Sequence, residues 1–330
     1  MALGQSGIEY EVVRGWERLP EGWAFTEVVG VAVDSRDRVY VFCRGEHPLI
    51  VFDKEGRFLD AWGEGMFRRP HGITIAAGDQ LWLVDDAGHS VSRYTLDGKL
   101  EQRIGGGKPS RTGFEPGQSP VEQAAGPFNT VTNVAIDPAG RIFAADGYGN
   151  ARVHRFGAAG ELELSWGEPG GGPGQFNLPH GIALDSAGRV YVADRENSRV
   201  QIFSPDGEFI TAWSWPNRPC DLFIDGQDTI YVAELGFQVA TWQLPHLRLM
   251  RHPPPGHDPI ARVTITNPDG EIVARVGGDS VLPGNFIAPH GIWVDSRGDF
   301  YVGEVTVSSD AVKNLAPFTP HCFQKFQRGR

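Results

Sequence analysis

Cysteine is scarce in this chain: Cys43, Cys220 and Cys322 are the three in 330 residues. An odd number at wide spacing makes no disulfide framework, so a reducing cytoplasm is the expected location. Long apolar runs are missing as well, which leaves no membrane-spanning helix and no membrane partner. The first ten residues, Met1–Tyr10, have neither a basic cluster nor an apolar stretch, and do not read as a secretion signal. Positive charge is also in short supply, with 30 Lys and Arg against 41 Asp and Glu and a formal net charge of −11. A phosphate backbone is bound by a concentrated basic face, so nucleic acid is not an expected partner. No helical period or heptad appears. The glycine-rich stretch 167–174 precedes no helical pattern whose N-terminus could bind phosphate, so it reads as a connection.

Glycine and proline are plentiful, at 43 and 24. They punctuate short β-rich runs, and the runs repeat. Comparable segments begin at Gly30, His71, Asn133, His180, Asp221 and His290. Second strands follow over Arg38–Val41, Leu81–Val84, Arg141–Ala144, Arg189–Ala193, Thr229–Ala233 and Asp299–Gly303. Third strands follow in turn, then Asp-Gly or Glu-Gly turns into a fourth. Six units of four antiparallel strands predict an all-β, six-bladed β-propeller, a single domain over residues 1–330. The segment Ile8–Trp16 reads as an outermost strand and Cys322–Gln327 as a third strand, so the N-terminal strand is expected to close the last blade. Two loops exceed the repeat, Gly105–Phe128 and Pro245–Ile260, and either could act as a lid.

Three of the six first strands open on Pro-His-Gly-Ile, with His71, His180 and His290 spaced 109 and 110 residues apart. The column they occupy reads Val29, His71, Thr132, His180, Cys220 and His290. Histidine fills every second place, and alternate places on a six-fold ring are 120° apart. Three imidazoles so placed form the base of a tetrahedral metal site with its apex open to a reactant. Zinc suits an all-imidazole site, and another first-row divalent metal is compatible. Cys220 reads as a small apolar filler.

The second strands end on Cys43, Asp85, Asp146, Asp194, Glu234 and Glu304. An acid in nearly every repeat reads as turn hydrogen bonding rather than catalysis. The next column varies: Arg44, Asp86, Gly147, Arg195, Leu235 and Val305. Variation within a regular scaffold is where chemistry is carried. Arg44, Asp86 and Arg195, with Tyr148 one place further on, are expected on the histidine face. Two arginines beside a metal would clamp an anion such as a carboxylate.

Three strings carry a family resemblance: Val39-Tyr-Val-Phe-Cys-Arg-Gly-Glu-His47, Ala145-Asp-Gly-Tyr-Gly-Asn-Ala-Arg-Val153 and Val192-Ala-Asp-Arg-Glu-Asn-Ser-Arg-Val200. They resemble the peptidyl-α-hydroxyglycine α-amidating lyases, six-bladed propellers of the NHL-repeat group. The resemblance implies zinc on His71, His180 and His290, Tyr148 as catalytic base, and Arg44 and Arg195 around the substrate. Gly149 stands where a disulfide cysteine of the secreted animal members falls. Gly291 replaces the aspartate of the family's structural calcium site, so calcium is not expected. A copper hydroxylase domain is not expected beside the propeller, and a peptide prohormone is not the expected substrate.

The expected function is a zinc-dependent carbon–nitrogen lyase acting on a small α-hydroxylated amide or related carbinol. Tyr148 would take the hydroxyl proton, favoured as phenolate by the cation and Arg44. Arg195 would hold the substrate carboxylate, and Asp86 would orient Arg44 or a water. Two alternatives stand beside it: a metal-dependent lactone or ester hydrolase, and a catalytically silent NHL interaction scaffold. The oligomeric state is not legible.

Overall fold

The computed structural model describes residues 8–115, 121–237, 253–278, 280, 282–308 and 321–329. They form six four-stranded antiparallel sheets, the blades of a six-bladed propeller. The first strands are Val28–Val33, Pro70–Ala76, Val131–Ile136, Pro179–Leu184, Pro219–Ile224 and Pro289–Val294. The second strands are Val39–Cys43, Gln80–Asp85, Ile142–Asp146, Val190–Asp194, Ile230–Glu234 and Phe300–Glu304, and all but Gln80 are buried. Strands buried on both faces read as continuous apolar runs, which is why the β-branched and aromatic residues cluster there. The one helical turn among the described residues is a 3₁₀ turn at Arg195–Asn197. No helix among them is long and apolar enough to cross a membrane.

The chain divides into two compact units, Gly63–Ser214 and Met1–Trp62 with Trp215–Arg330. The first holds the second, third and fourth blades. The other holds the first, fifth and sixth. Local chemistry repeats in both. In five blades an aspartate ends the first strand and its Oδ1 accepts the N–H groups two and four residues on, as Asp34 does from Arg36 and Arg38 and Asp185 from Ala187 and Arg189. Asp137, Asp225 and Asp295 do the same. This side-chain turn fixes the hairpin and with it the strand register. The second blade uses Gly78 and Asp79 instead, both at positive φ.

The acid that ends five of the six second strands is a clasp. Asp85 accepts the N–H of Arg68 and Arg69, Asp146 that of Asn129, Asp194 that of Asn177, Glu234 that of Asn217, and Glu304 those of Ile287 and Ala288. Every one of these donors lies two or three residues ahead of the histidine column. The third strand reaches the same acids through His154, Gln201, Thr264 and Gln324. Ser165, His154 and Asp146 thus imitate a nucleophile–base–acid row. Because glutamine or threonine takes the place of His154 in other blades, the row is part of the clasp. The glycine-rich stretch turns its carbonyls inward, those of Gly171 and Gly172 to Arg199 and that of Gly170 to Asn197, the reverse of a phosphate cradle.

The N-terminal strand runs Tyr10–Val13 and pairs with Phe323–Arg328, which pairs with Phe300–Glu304. It is shorter than the expected Ile8–Trp16 because Gly15, at φ 62, turns the chain. Trp16 then leaves the sheet to pack on Tyr301 and Phe52, with ring centroids at 5.2 and 5.7 Å. Tyr10 is fully buried, edge-on to Phe300 at 4.7 Å. Truncating Tyr10 to alanine removes the closing strand's anchor and should cost about 3 kcal/mol in urea unfolding. A loss below about 1 kcal/mol would show that this strand does not hold the sixth blade.

Candidate metal centre

Each histidine sits at a β-bulge. Pro70 pairs with Asp85 and the ladder resumes at Ile73 with Leu83; Pro179 pairs with Asp194 and it resumes at Ile182 with Val192. Pro289 pairs with Glu304, and pairing resumes at Gly291 with Gly303. A bulge leaves a residue outside the ladder and re-aims its side chain. The Pro-His-Gly string serves this bend. Proline brings no N–H that the broken ladder would strand. Glycine admits the neighbouring strand: a Cβ at Gly72 would lie 2.7 Å from the carbonyl oxygen of Thr132, and one at Gly291 2.5 Å from Gly30 Cα.

The blades without histidine hold the histidines. His71 Nδ1 lies 2.6 Å from the carbonyl oxygen of Thr132, and His290 Nδ1 2.6 Å from that of Val29. A carbonyl only accepts, so both Nδ1 atoms carry the proton and both Nε2 atoms keep a lone pair. This is the outer-shell bond that orients a metal-ligating imidazole. All three rings are buried, and within the unit Gly63–Ser214 the His71 and His180 rings lie edge to face with centroids 4.8 Å apart, a pair that could share a metal.

The Tyr148 hydroxyl lies 3.1 Å from His71 Nε2 and 3.2 Å from His180 Nε2. The tyrosine donates to the His71 Nε2 lone pair, and buried neutral imidazoles presenting such lone pairs are the donor chemistry of a divalent metal site; the donor set therefore fits a divalent metal. Two glycines seat the tyrosine. A Cβ at Gly147 would meet the carbonyl oxygen of Pro179 at 1.8 Å, and one at Gly149 would meet Asn129 Oδ1 at 2.3 Å. The long 105–128 segment is pinned beside it, with the Thr112 hydroxyl donating to the carbonyl of Gly149 and Asn150 pairing with Ala125. In the 245–260 loop, 245–252 lie outside the described residues; His257 contacts Asn217 and Asp258 pairs with Arg262.

Arg195 lies over the Tyr148 ring at 5.4 Å, with its Nε held by Glu196 at 3.0 Å. A second guanidinium, Arg69, lies over the same ring at 5.5 Å. Fully buried Asp86 forms an ion pair with Arg69 Nε at 3.5 Å. Arg44 donates to Glu27 Oε2 and to Ser308 Oγ, both at 3.0 Å, and Glu27 also takes the N–H groups of Val307 and Ser308. The structure thus groups His71, His180, Tyr148 and Arg195, ties Asp86 to that group through Arg69, and places Arg44 with Glu27. Sequence reasoning missed Arg69, yet its signal was present: the residue before Pro-His-Gly is Arg69, Leu178 or Ala288, and one alone is charged.

A family model for the NHL repeat matches residues 176–203. Peptidyl-alpha-hydroxyglycine alpha-amidating lyase 1 of Drosophila melanogaster is 30% identical over 264 residues, covering 76% of this chain and 45% of that protein. Peptidyl-glycine alpha-amidating monooxygenase B of Xenopus laevis is 27% identical over 325 residues, 88% of this chain and 34% of that protein. This chain is an NHL-repeat propeller that resembles the amidating lyases. Human NHL repeat-containing protein 3 is 35% identical over 220 residues, 63% of the chain and 60% of that protein. The chain thus spans between about a third and three fifths of the length of these relatives. Among solved structures, virginiamycin B lyase from Staphylococcus aureus aligns with TM-score 0.53 at 14% identity over 91% of this chain and 82% of that one. A gluconolactonase from Xanthomonas campestris aligns at 0.61 and 11% over 98% and 90%. At such identities these two show the fold alone. The departures from the lyases have a steric side here: neither a cysteine at position 149 nor an aspartate at 291 fits the backbone as it stands.

Purified protein is expected to carry about one divalent ion per chain by elemental analysis, and His180→Ala to carry close to none. Equal metal content in the two would remove the imidazoles from metal binding.

Proposed function

We propose that this chain is a metal-dependent carbon–nitrogen lyase that cleaves a small α-hydroxylated amide into an amide and a carbonyl compound. The observation that carries this reading is the Tyr148 hydroxyl within hydrogen-bond reach of both imidazoles of the metal-capable pair. Zinc fits an all-imidazole set, as does another first-row divalent ion. A bound ion supplies Lewis-acid polarisation of a substrate oxygen.

The chain's own residues do the rest. Tyr148 takes the substrate hydroxyl proton while the C–O bond becomes a carbonyl and the C–N electron pair departs with nitrogen. The same tyrosine returns that proton to the leaving amide, so the reaction is redox-neutral and needs no co-reactant. Arg195, fixed by Glu196, holds the substrate carboxylate. Arg44, fixed by Glu27, supplies a second positive charge that favours the deprotonated reactant. The resemblance to the lyases and the tyrosine–imidazole cluster favour this reading over a lactonase or a silent scaffold.

The substrate is proposed to be a small molecule rather than a peptide hormone or nucleic acid. A reducing cytoplasm suits the thiols. Cys43 and Cys322 are buried, and burial pushes the Cys322 thiol up to about 12, where it is inert. Tyr148→Phe should retain the metal and lose about 10²–10⁴-fold in turnover. The assay is carbonyl release from an N-acyl-α-hydroxyglycine, run beside a simple lactone. Unchanged turnover would remove Tyr148 from the chemistry, and lactone cleavage alone would replace the lyase reading with the hydrolase.

A further inference from the structure

Arg69 is built to present its charge. Its backbone is fixed at both ends: its N–H donates to Asp85 Oδ1 at 2.9 Å, and its carbonyl accepts from the N–H of Asp86 at 3.2 Å. Its side chain is 41% exposed, whereas the Asp86 side chain is at 0%. The carboxylate is thus sunk into the protein and holds the guanidinium from beneath. Burying a carboxylate is costly unless a cation compensates it, so the pair commits the protein to a positive charge at this spot. Asp86 engages the Nε side, and among the described residues Arg69 makes no other ion pair. The terminal nitrogens, whose planar fork matches a carboxylate, therefore face away from the pair. Arg195 is arranged alike, with Glu196 on its Nε. Both guanidinia lie over the one Tyr148 ring, at 5.5 and 5.4 Å from its centroid. The two cations thus flank the one aromatic ring that carries the Tyr148 hydroxyl.

We propose that Arg69 is a specificity-determining residue that receives a second carboxylate of the substrate, so that the preferred substrate class is a dianionic N-acyl-α-hydroxyglycine. This rests on the lyase reading for the site and on Arg195 holding the first carboxylate. One guanidinium would suffice for a monoanion. A second, half-exposed and set at the same tyrosine, offers a place for a second anionic group.

The test is equilibrium binding of two unreactive analogues, N-succinylglycine and N-butanoylglycine, to the metal-loaded protein by calorimetry. They differ in one terminal carboxylate. The wild type should bind N-succinylglycine about 10- to 100-fold more tightly, the range of a charge-assisted hydrogen bond. Arg69→Gln should erase that gap while leaving N-butanoylglycine affinity and metal content in place. Arg69→Lys, which keeps the charge and loses the fork, should keep part of it. The double change R69Q with D86N removes both charges together, so the comparison does not depend on a variant that strands a buried carboxylate. Equal affinities in the wild type, or a gap that survives Arg69→Gln and the double variant, would overturn the inference. Release of glyoxylate from α-hydroxylated N-butanoylglycine tests the lyase reading separately. No release with the binding gap intact would discard the lyase and keep Arg69.

Discussion

A hydrogen bond of 2.6 Å from an imidazole Nδ1 to a backbone carbonyl on the adjacent first strand sets the chemical state of this protein's site. It fixes the ring's rotation, chooses the tautomer and leaves Nε2 as a base. Everything that follows, from metal affinity to the contact with Tyr148, requires that lone pair. The bond also explains why histidine occupies alternate blades. The intervening residues Thr132 and Val29 present the carbonyls that seat His71 and His290. Pro-His-Gly is the local solution: no N–H to strand, a ring to aim and no Cβ to block the neighbouring strand.

The repeated acids hold that bend in place. Asp85, Asp194 and Glu304 tie the backbone just ahead of His71, His180 and His290. Each is shielded by the strands it joins, so its hydrogen bonds are worth more than they would be in water. The scaffold therefore spends its best polar groups on the backbone, and the positions left to vary carry the chemistry. Tyr148, Arg195, Asp86 and Arg69 all occupy places where the repeat is broken. His154 shows the converse: it looks catalytic beside Ser165 and Asp146, but it fills a position that is polar in five of the six blades, with Ile50 in the first.

Charge at the tyrosine is managed in pairs. Glu196 and Asp86 each hold one guanidinium by its Nε side, and Glu27 does the same service for Arg44 through a terminal nitrogen. Free guanidinium groups would collapse on any carboxylate within reach. Holding them by buried acids keeps the donors oriented before a ligand arrives, which lowers the ordering cost of binding.

Much of this was legible from residue order alone. Six repeats, four strands each, the closing strand and the histidine column follow from turn residues and a fixed period, because local hydrogen bonding and burial dictate both. The importance of Tyr148 and Arg195 was legible as departures from the repeat. Tertiary structure decided what periodicity cannot express. It set the protonation of His71 and His290 through bonds to strands 61 and 261 residues away in sequence. It set Asp86 beside Arg69, a pairing that no column of the repeat announces. It also turned the acid column from turn-makers into clasps, since a side chain's partner depends on which backbone passes within 3 Å.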